Sequence, residues 1–247
     1  MTTPPVITLS KDEQAGKHPY IRPRDASTLL ILDKSGNSPV KVLMGRRHMR
    51  HAFMPGKFVF PGGRLDVSDS RISVRESYHP GVEAKLSAQL KGPKTAARVR
   101  ALALAAIRET YEEAGIFVGR KEDHTDRLGR GFEAFEERNI SLDLSPLRVV
   151  ARAITPPKRP RRFDTRFFAV WSDSIASELE SGTGPSGELQ DVAWLTLDEA
   201  REKELPNITK QILSDLEGRL ASDPELSPDT EVPFYYFRNG EFQREYL

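Results

Sequence analysis

The 247-residue chain is 38% hydrophobic and 30% charged, enough apolar content for a packed core beneath a heavily charged surface. Its 37 basic and 36 acidic side chains leave a formal net charge of +1, so no global field marks it as a nucleic-acid or membrane binder. It has no cysteine, which excludes disulfides, thiolate metal sites and cysteine nucleophiles, and no apolar run long enough to cross a bilayer.

Residues 1–24 are polar and proline-rich and read as an N-terminal arm. Their start lacks the basic-then-apolar order of a signal peptide, which makes the cytoplasm the expected compartment. "ASTLLILD" (26–33) and "VKVLMGRR" (40–47) are apolar runs divided by the turn signal "KSGNSP", and they read as a hairpin. "GKFVFPGG" (56–63) reads as a short strand broken by proline and two glycines. The polar stretch after it holds one short helical pattern, Val82 to Leu90. Thr95 is placed to cap "AARVRALALAAIRETYEEAG", a long helix that ends at Gly115, the favoured residue just past a C-terminus. "GFEAFEERN" (131–139) reads as a short helix, and "LRVVARAIT" (147–155) and "TRFFAVW" (165–171) as strands around a basic loop. "DVAWLTL" (191–197) reads as a further strand, followed by two amphipathic helices, "DEAREKEL" and "NITKQILSDLEGRL". In the tail, aromatic residues flank Asn239-Gly240, the signature of a type I′ hairpin.

Strands and helices that mix without strict alternation, and without a repeat, predict an α/β fold with a mixed sheet. The expected layout is one domain over 25–222, with 223–247 as a C-terminal tail; its aromatic residues leave a homodimer open.

Chemistry concentrates in "RETYEEAG". On a helix Glu109, Glu112 and Glu113 stand at i, i+3 and i+4, within about 100° of arc. Like charges at that spacing cost roughly 0.2–0.5 kcal/mol per pair. Their place in the last turns adds an unfavourable dipole term of about 0.3–1 kcal/mol. Local rules broken together mark a functional site; the bland alternative is a solvated face offset in part by Arg108. A carboxylate cluster without cysteine or a neighbouring histidine suits Mg²⁺ or Mn²⁺ and not zinc.

Taken with "FPGG", these residues resemble the signature of the Nudix hydrolases, G-x5-E-x7-R-E-U-x-E-E-x-G-U, U being a bulky aliphatic residue. Gly63 matches the leading glycine, and Arg108, Glu109, Glu112, Glu113, Gly115 and Ile116 match the second half in order and spacing. Thr110 replaces the first U. Arg108 follows Gly63 by 45 positions where the pattern has fourteen, a spacing 31 residues longer, and the insertion is centred on about 67–94. Asp69 stands where the first glutamate of the pattern falls, with Asp66 near it.

The resemblance implies an α/β/α sandwich and hydrolysis of a nucleoside diphosphate linked to another moiety, a small-molecule substrate, with Mg²⁺ or Mn²⁺. It implies metal ligation by Glu109, Glu112, Glu113 and the Gly63 carbonyl. Arg108 would orient the glutamates, and a carboxylate would take the proton of the attacking water. Glu188, in "PSGELQDVAWLTLDEA", is the candidate base or extra ligand contributed by a loop before a late strand; the alternative is a solvated loop residue. Arg162 and Arg166 of the basic loop are candidates for gripping phosphates. Arg46, Arg50 and His51 precede "FPGG" much as in coenzyme A diphosphatases. Coenzyme A or an acyl-CoA is therefore the leading substrate, ahead of ADP-ribose, dinucleotides and sugar nucleotides. A nucleotide-sensing domain without turnover is the alternative of a different class.

Overall fold

Leu29, Leu30, Ile31 and Leu32 are consecutive in one strand, and none has any exposed surface. Neighbouring side chains of a strand point to opposite faces, so a run of four buried residues requires cover on both. That cover is present. Leu29 and Ile31 pack into one apolar cluster, and Leu30 and Leu32 into a second across the sheet.

The structure is a computed structural model and describes residues 18–36, 38–50 and 54–247. The strands are β1 (Arg24–Asp33), β2 (Lys41–Arg47), β3 (Phe58–Val59), β4 (Gly62–Arg64), β5 (Ile116–Val118), β6 (Arg120–Lys121), β7 (Ile140–Ser141), β8 (Arg148–Ile154), β9 (Phe163–Trp171), β10 (Ile175–Glu178), β11 (Leu189–Thr196), β12 (Pro233–Arg238) and β13 (Glu241–Tyr246). The helices are α1 (Pro80–Ser87), α2 (Ala96–Ala114), α3 (Glu133–Glu137), α4 (Leu197–Arg201) and α5 (Asn207–Ser222), with a 3-10 turn at Ser68–Arg71.

Among the described residues the main sheet runs β11-β2-β1-β9-β8-β12-β13, with β3 on β2 and β4 on β1. β1 and β9 are parallel, as are β8 and β12, and the other pairs are antiparallel, so the sheet is mixed. One edge of β1 is shared. Its C-terminal end pairs with β2 at Leu32–Val42, and its N-terminal end pairs with β4 over Ala26–Thr28. The expected hairpin exists, and its splayed mouth admits the glycine loop.

Helix α2 covers one face through Val99, Leu102, Ala103, Ala106 and Ile107. Helix α5 covers the other through Ile212, Leu213 and Leu216. This is the layered mixed α/β architecture the sequence predicted. The inserted segment packs on the α2 side, where Ile72, Tyr78, Val82, Leu86 and Leu90 join the same core. Tyr78 ties it to the helix, its hydroxyl donating to Val99 O at 3.1 Å and accepting from the Ala103 N–H at 3.1 Å. Residues of the 223–247 segment pair with β8 through β12, and Phe234 and Tyr235 are buried in this chain's own packing. No helix among the described residues is long and apolar enough to span a membrane.

Candidate active site

Helix α2 delivers the acidic residues. Thr95 opens it, the hydroxyl accepting from the Arg98 N–H at 3.3 Å. Gly115 closes it at φ 73°, a left-handed conformation glycine adopts without strain. The free carbonyls of the last turn are bonded by an approaching loop: Gly184 N–H donates to Glu113 O at 3.1 Å and Ser186 N–H to Glu112 O at 2.9 Å. A Cβ on Gly184 would stand 2.2 Å from Glu112 O, so only glycine allows that approach. The same loop continues to Glu188, which it carries to the end of the helix.

The glycine loop meets the helix from the sheet. Gly62 N–H donates to Glu113 Oε2 at 2.9 Å. The position a Cβ of Gly63 would take lies 2.3 Å from the Glu109 carboxyl carbon, so the missing side chain makes room for that carboxylate.

Arg108 links these parts. Its Nε and Nη2 donate to the two oxygens of Asp69, at 2.9 and 3.2 Å. Nη1 donates to Glu109 Oε1 at 2.9 Å and Glu112 Oε2 at 3.1 Å, and Nη2 also reaches Arg64 O at 3.1 Å. Arg108 is 7% exposed and Asp69 not at all. Asp69 therefore fills the place of the pattern's first glutamate as the fork-shaped partner of Arg108, and the insertion falls after it.

Burial pushes Glu113 up to about 8, against the opposing Gly62 N–H, with further upward pressure from Glu109 and Glu188. Burial pushes Glu109 up to about 7, against the opposing charge of Arg108, with Glu112 and Glu188 adding to the rise. Glu188 is thus electrostatically part of the cluster. Among the described residues five carboxylates (Asp69, Glu109, Glu112, Glu113 and Glu188) gather around two guanidinium groups, Arg108 and Arg47, the latter 3.9 Å from Glu188 Oε2.

Among the described residues no three acidic or histidine side chains stand close enough to form an assembled metal cage. The donor set nevertheless fits a hard divalent cation. It is all oxygen, and it is in negative excess beside a glycine loop without side chains in the way.

The arginines sort differently from the sequence expectation. Alternation along β2 sends Val42 and Met44 to the α5 face and Leu43 to the α2 face. Arg47 accordingly faces the acidic cluster, and its positive charge works against burial by pulling the Glu113 pKa down. Arg46 points the other way and bonds Asp191 at 2.7 Å. The period-2 pattern would have selected Arg47, which the sequence reading passed over. Arg50 is exposed beyond the end of β2, and His51 lies outside the described residues.

Arg162 and Arg166 are corrected. Arg166 is 1% exposed and bonds Asp25 Oδ1 at 2.7 Å and Asp164 O at 2.8 Å. Its Nε and Nη2 are buried without partners among the described residues. Arg162, 8% exposed, donates to Thr155 O and Ile21 O at 3.0 and 2.8 Å. Strand β9 turns Arg166 inward in step with Phe168 and Val170, so a basic-looking loop feeds a buried structural network rather than a phosphate grip.

No family model matches the chain. Over 120 residues it is 31% identical to the acyl-coenzyme A diphosphatase NUDT19 of Xenopus laevis, a match that takes in 42% of this chain and 31% of that protein. Over 161 residues it is 26% identical to the putative nudix hydrolase 7 of Caenorhabditis elegans, with 61% of this chain and 45% of that protein covered. The chain thus spans less than half the length of these curated relatives. The crystal structure of a NUDIX hydrolase from Alicyclobacillus acidocaldarius superposes with a TM-score of 0.53 at 27% identity, over 82% of this chain and 85% of that one.

Proposed function

The chain belongs to the Nudix hydrolase superfamily, and from that premise we propose that it is a metal-dependent diphosphatase cleaving the diphosphate linkage of a nucleotide derivative. Coenzyme A or an acyl-CoA is the leading substrate, supported by the likeness to the acyl-coenzyme A diphosphatase and by the residues ahead of the glycine loop.

The observation that carries this reading is the uncompensated acid. Two of the glutamates are held near 7 and 8 by burial and by one another, beside a loop whose Gly63 makes room for the Glu109 carboxylate. Glu109, Glu112, Glu113 and the Gly63 carbonyl would hold Mg²⁺ or Mn²⁺. The bound cation would neutralise charge on the diphosphate oxygens. Arg108 fixes the carboxylates of Glu109 and Glu112 through a single nitrogen, and Asp69 fixes Arg108.

In the reaction water attacks one phosphorus, the bridging P–O bond breaks, and the other phosphate leaves. A carboxylate takes the proton of that water. Glu112 and Glu188 have side chains 35% and 46% exposed, against 17% for Glu109, so these two reach the solvent-facing side of the cluster. The test is release of phosphorylated products from a panel including free and acylated coenzyme A, ADP-ribose and a dinucleotide, with and without Mg²⁺. Cation-dependent cleavage of one or more is expected. Tight binding of one ligand with no turnover of any would overturn the reading in favour of a sensor.

A further inference from the structure

A cavity of about 340 Å³ lies between the turn at residues 66–72 and the segment 128–130. Both walls are locked. In the first, Asp66 N–H donates to Asp69 Oδ2 at 2.7 Å, while Asp66 Oδ1 accepts from the Ser68 N–H and hydroxyl at 2.9 Å each. In the second, the N–H groups of Leu128 and Gly129 donate to Glu136 Oε1 at 2.5 and 2.7 Å.

Both walls are also attached to Arg108. Asp69 holds its guanidinium, and Gly131 fits so tightly against its stem that an added Cβ would lie 2.8 Å from Cδ. The same guanidinium holds Glu109 and Glu112, so Arg108 connects the segments that form the cavity to the acidic cluster.

The lining is specific. Ile72 is buried and Leu128 half-buried, giving apolar walls, and Val67 at the rim is 74% exposed. Arg71 and Arg130 line the cavity and are exposed, and among the described residues neither side chain makes an ion pair or hydrogen bond. The arginines deeper in the chain behave otherwise: Arg98, Arg108, Arg152 and Arg166 are all engaged with carboxylates. Free planar guanidinium groups at the mouth of an apolar slot suit a flat body that carries a phosphate, which they can hold bidentately. Asp66, the acid of the lining, offers an acceptor to a ring amine.

We propose that this cavity, formed where the glycine loop runs into the inserted segment, is the subsite for the arm of the substrate beyond the scissile linkage, and that it takes a nucleoside bearing a phosphomonoester. Arg71 and Arg130 hold the phosphomonoester, and the base lies between Ile72 and Leu128. The identity of the arm rests on the diphosphatase reading; the ligand class rests on the cavity.

Two arms of one experiment separate them. Calorimetry with adenosine 3′,5′-bisphosphate, without metal, should show binding to the full chain that weakens at least tenfold in R71A/R130A, with adenosine alone at least tenfold weaker than the bisphosphate. Steady-state kinetics of the same double variant should show KM for coenzyme A raised at least tenfold, with kcat within twofold and little change for 3′-dephospho-coenzyme A. Absence of bisphosphate binding to the wild type, undiminished binding to the double variant, or equal effects on the two substrates would overturn the subsite. If the wild type cleaves neither substrate, the diphosphatase reading fails for coenzyme A, and the calorimetry still decides the cavity.

Discussion

Helix α2 sits over two buried charged clusters, one at each end, and they are balanced differently. At its start Asp25 pairs with Arg98 and Arg166, while Asp164 pairs with Arg152 in a two-point contact at 2.8 Å and with Arg166 at 3.4 Å. Three guanidinium groups meet two carboxylates, and every carboxylate has a partner. At its end, among the described residues, five carboxylates meet two guanidinium groups, and burial holds Glu109 and Glu113 far above their ordinary value of 4.5. The first arrangement joins β1, β8, β9 and α2. The second joins the glycine loop, the turn at Asp69 and α2 but leaves an excess of buried acid, and that imbalance is why we read it as a binding site.

The largest effect that would sharpen this contrast is on turnover. E112Q removes one charge from the acidic end without changing shape, and we expect kcat to fall about 10²–10⁴-fold while circular dichroism stays that of the wild type. Unchanged activity would remove Glu112 from the mechanism.

The matching change at the other end should act on stability instead. D164A strips Arg152 and Arg166 of a buried partner, and should cost about 3–5 kcal/mol in denaturant unfolding, with Mn²⁺ affinity of the folded protein preserved. Loss of metal affinity at unchanged stability would reverse the two roles.

A smaller effect probes the glycine loop. In G63A the new methyl group must displace the Glu109 carboxylate, which is the flexible end of its side chain. We expect a stability loss of about 1–3 kcal/mol and at least a tenfold loss of Mn²⁺ affinity.

The last is a pH effect on the metal-free protein. Glu109 and Glu113 have folded values raised above 4.5, so the folded state binds more protons than the unfolded state between there and about 8. Stability should therefore fall as pH rises through that window and level off above it. Thermal unfolding in a chelator should show this slope, and E113Q, whose amide oxygen can still accept the Gly62 N–H, should flatten it.

Much of the scaffold was legible because its signals are local. Thr95 and Gly115 bracket α2 as capping chemistry requires, and Asn239 and Gly240, at φ 53° and 86°, make the turn between β12 and β13. The glutamates of α2 were legible because helical spacing fixes their common face. β5, β6, β7 and β10 were not, being two to four residues long, too short to show a period. "DEAREKEL" yields only α4, which a capping box of Thr196 and Glu199 starts and which ends at Arg201. The basic loop misled because composition does not report facing. Arg166 shares its side of β9 with Phe168 and Val170, and its partners Asp25 and Asp164 come from two strands. Glu188 reaches the cluster only through the loop that bonds the last carbonyls of α2, a contact made 70 residues along the chain from Glu112 and Glu113 in round figures.

The central claim is that the acidic excess at the end of α2 holds a divalent cation. Its most direct test is a Mn²⁺ titration followed by electron paramagnetic resonance, comparing the wild type with E109Q/E112Q/E113Q. The account predicts saturable binding in the wild type and its loss in the triple variant. Saturable binding that persists undiminished in the triple variant, or none in the wild type, would contradict it.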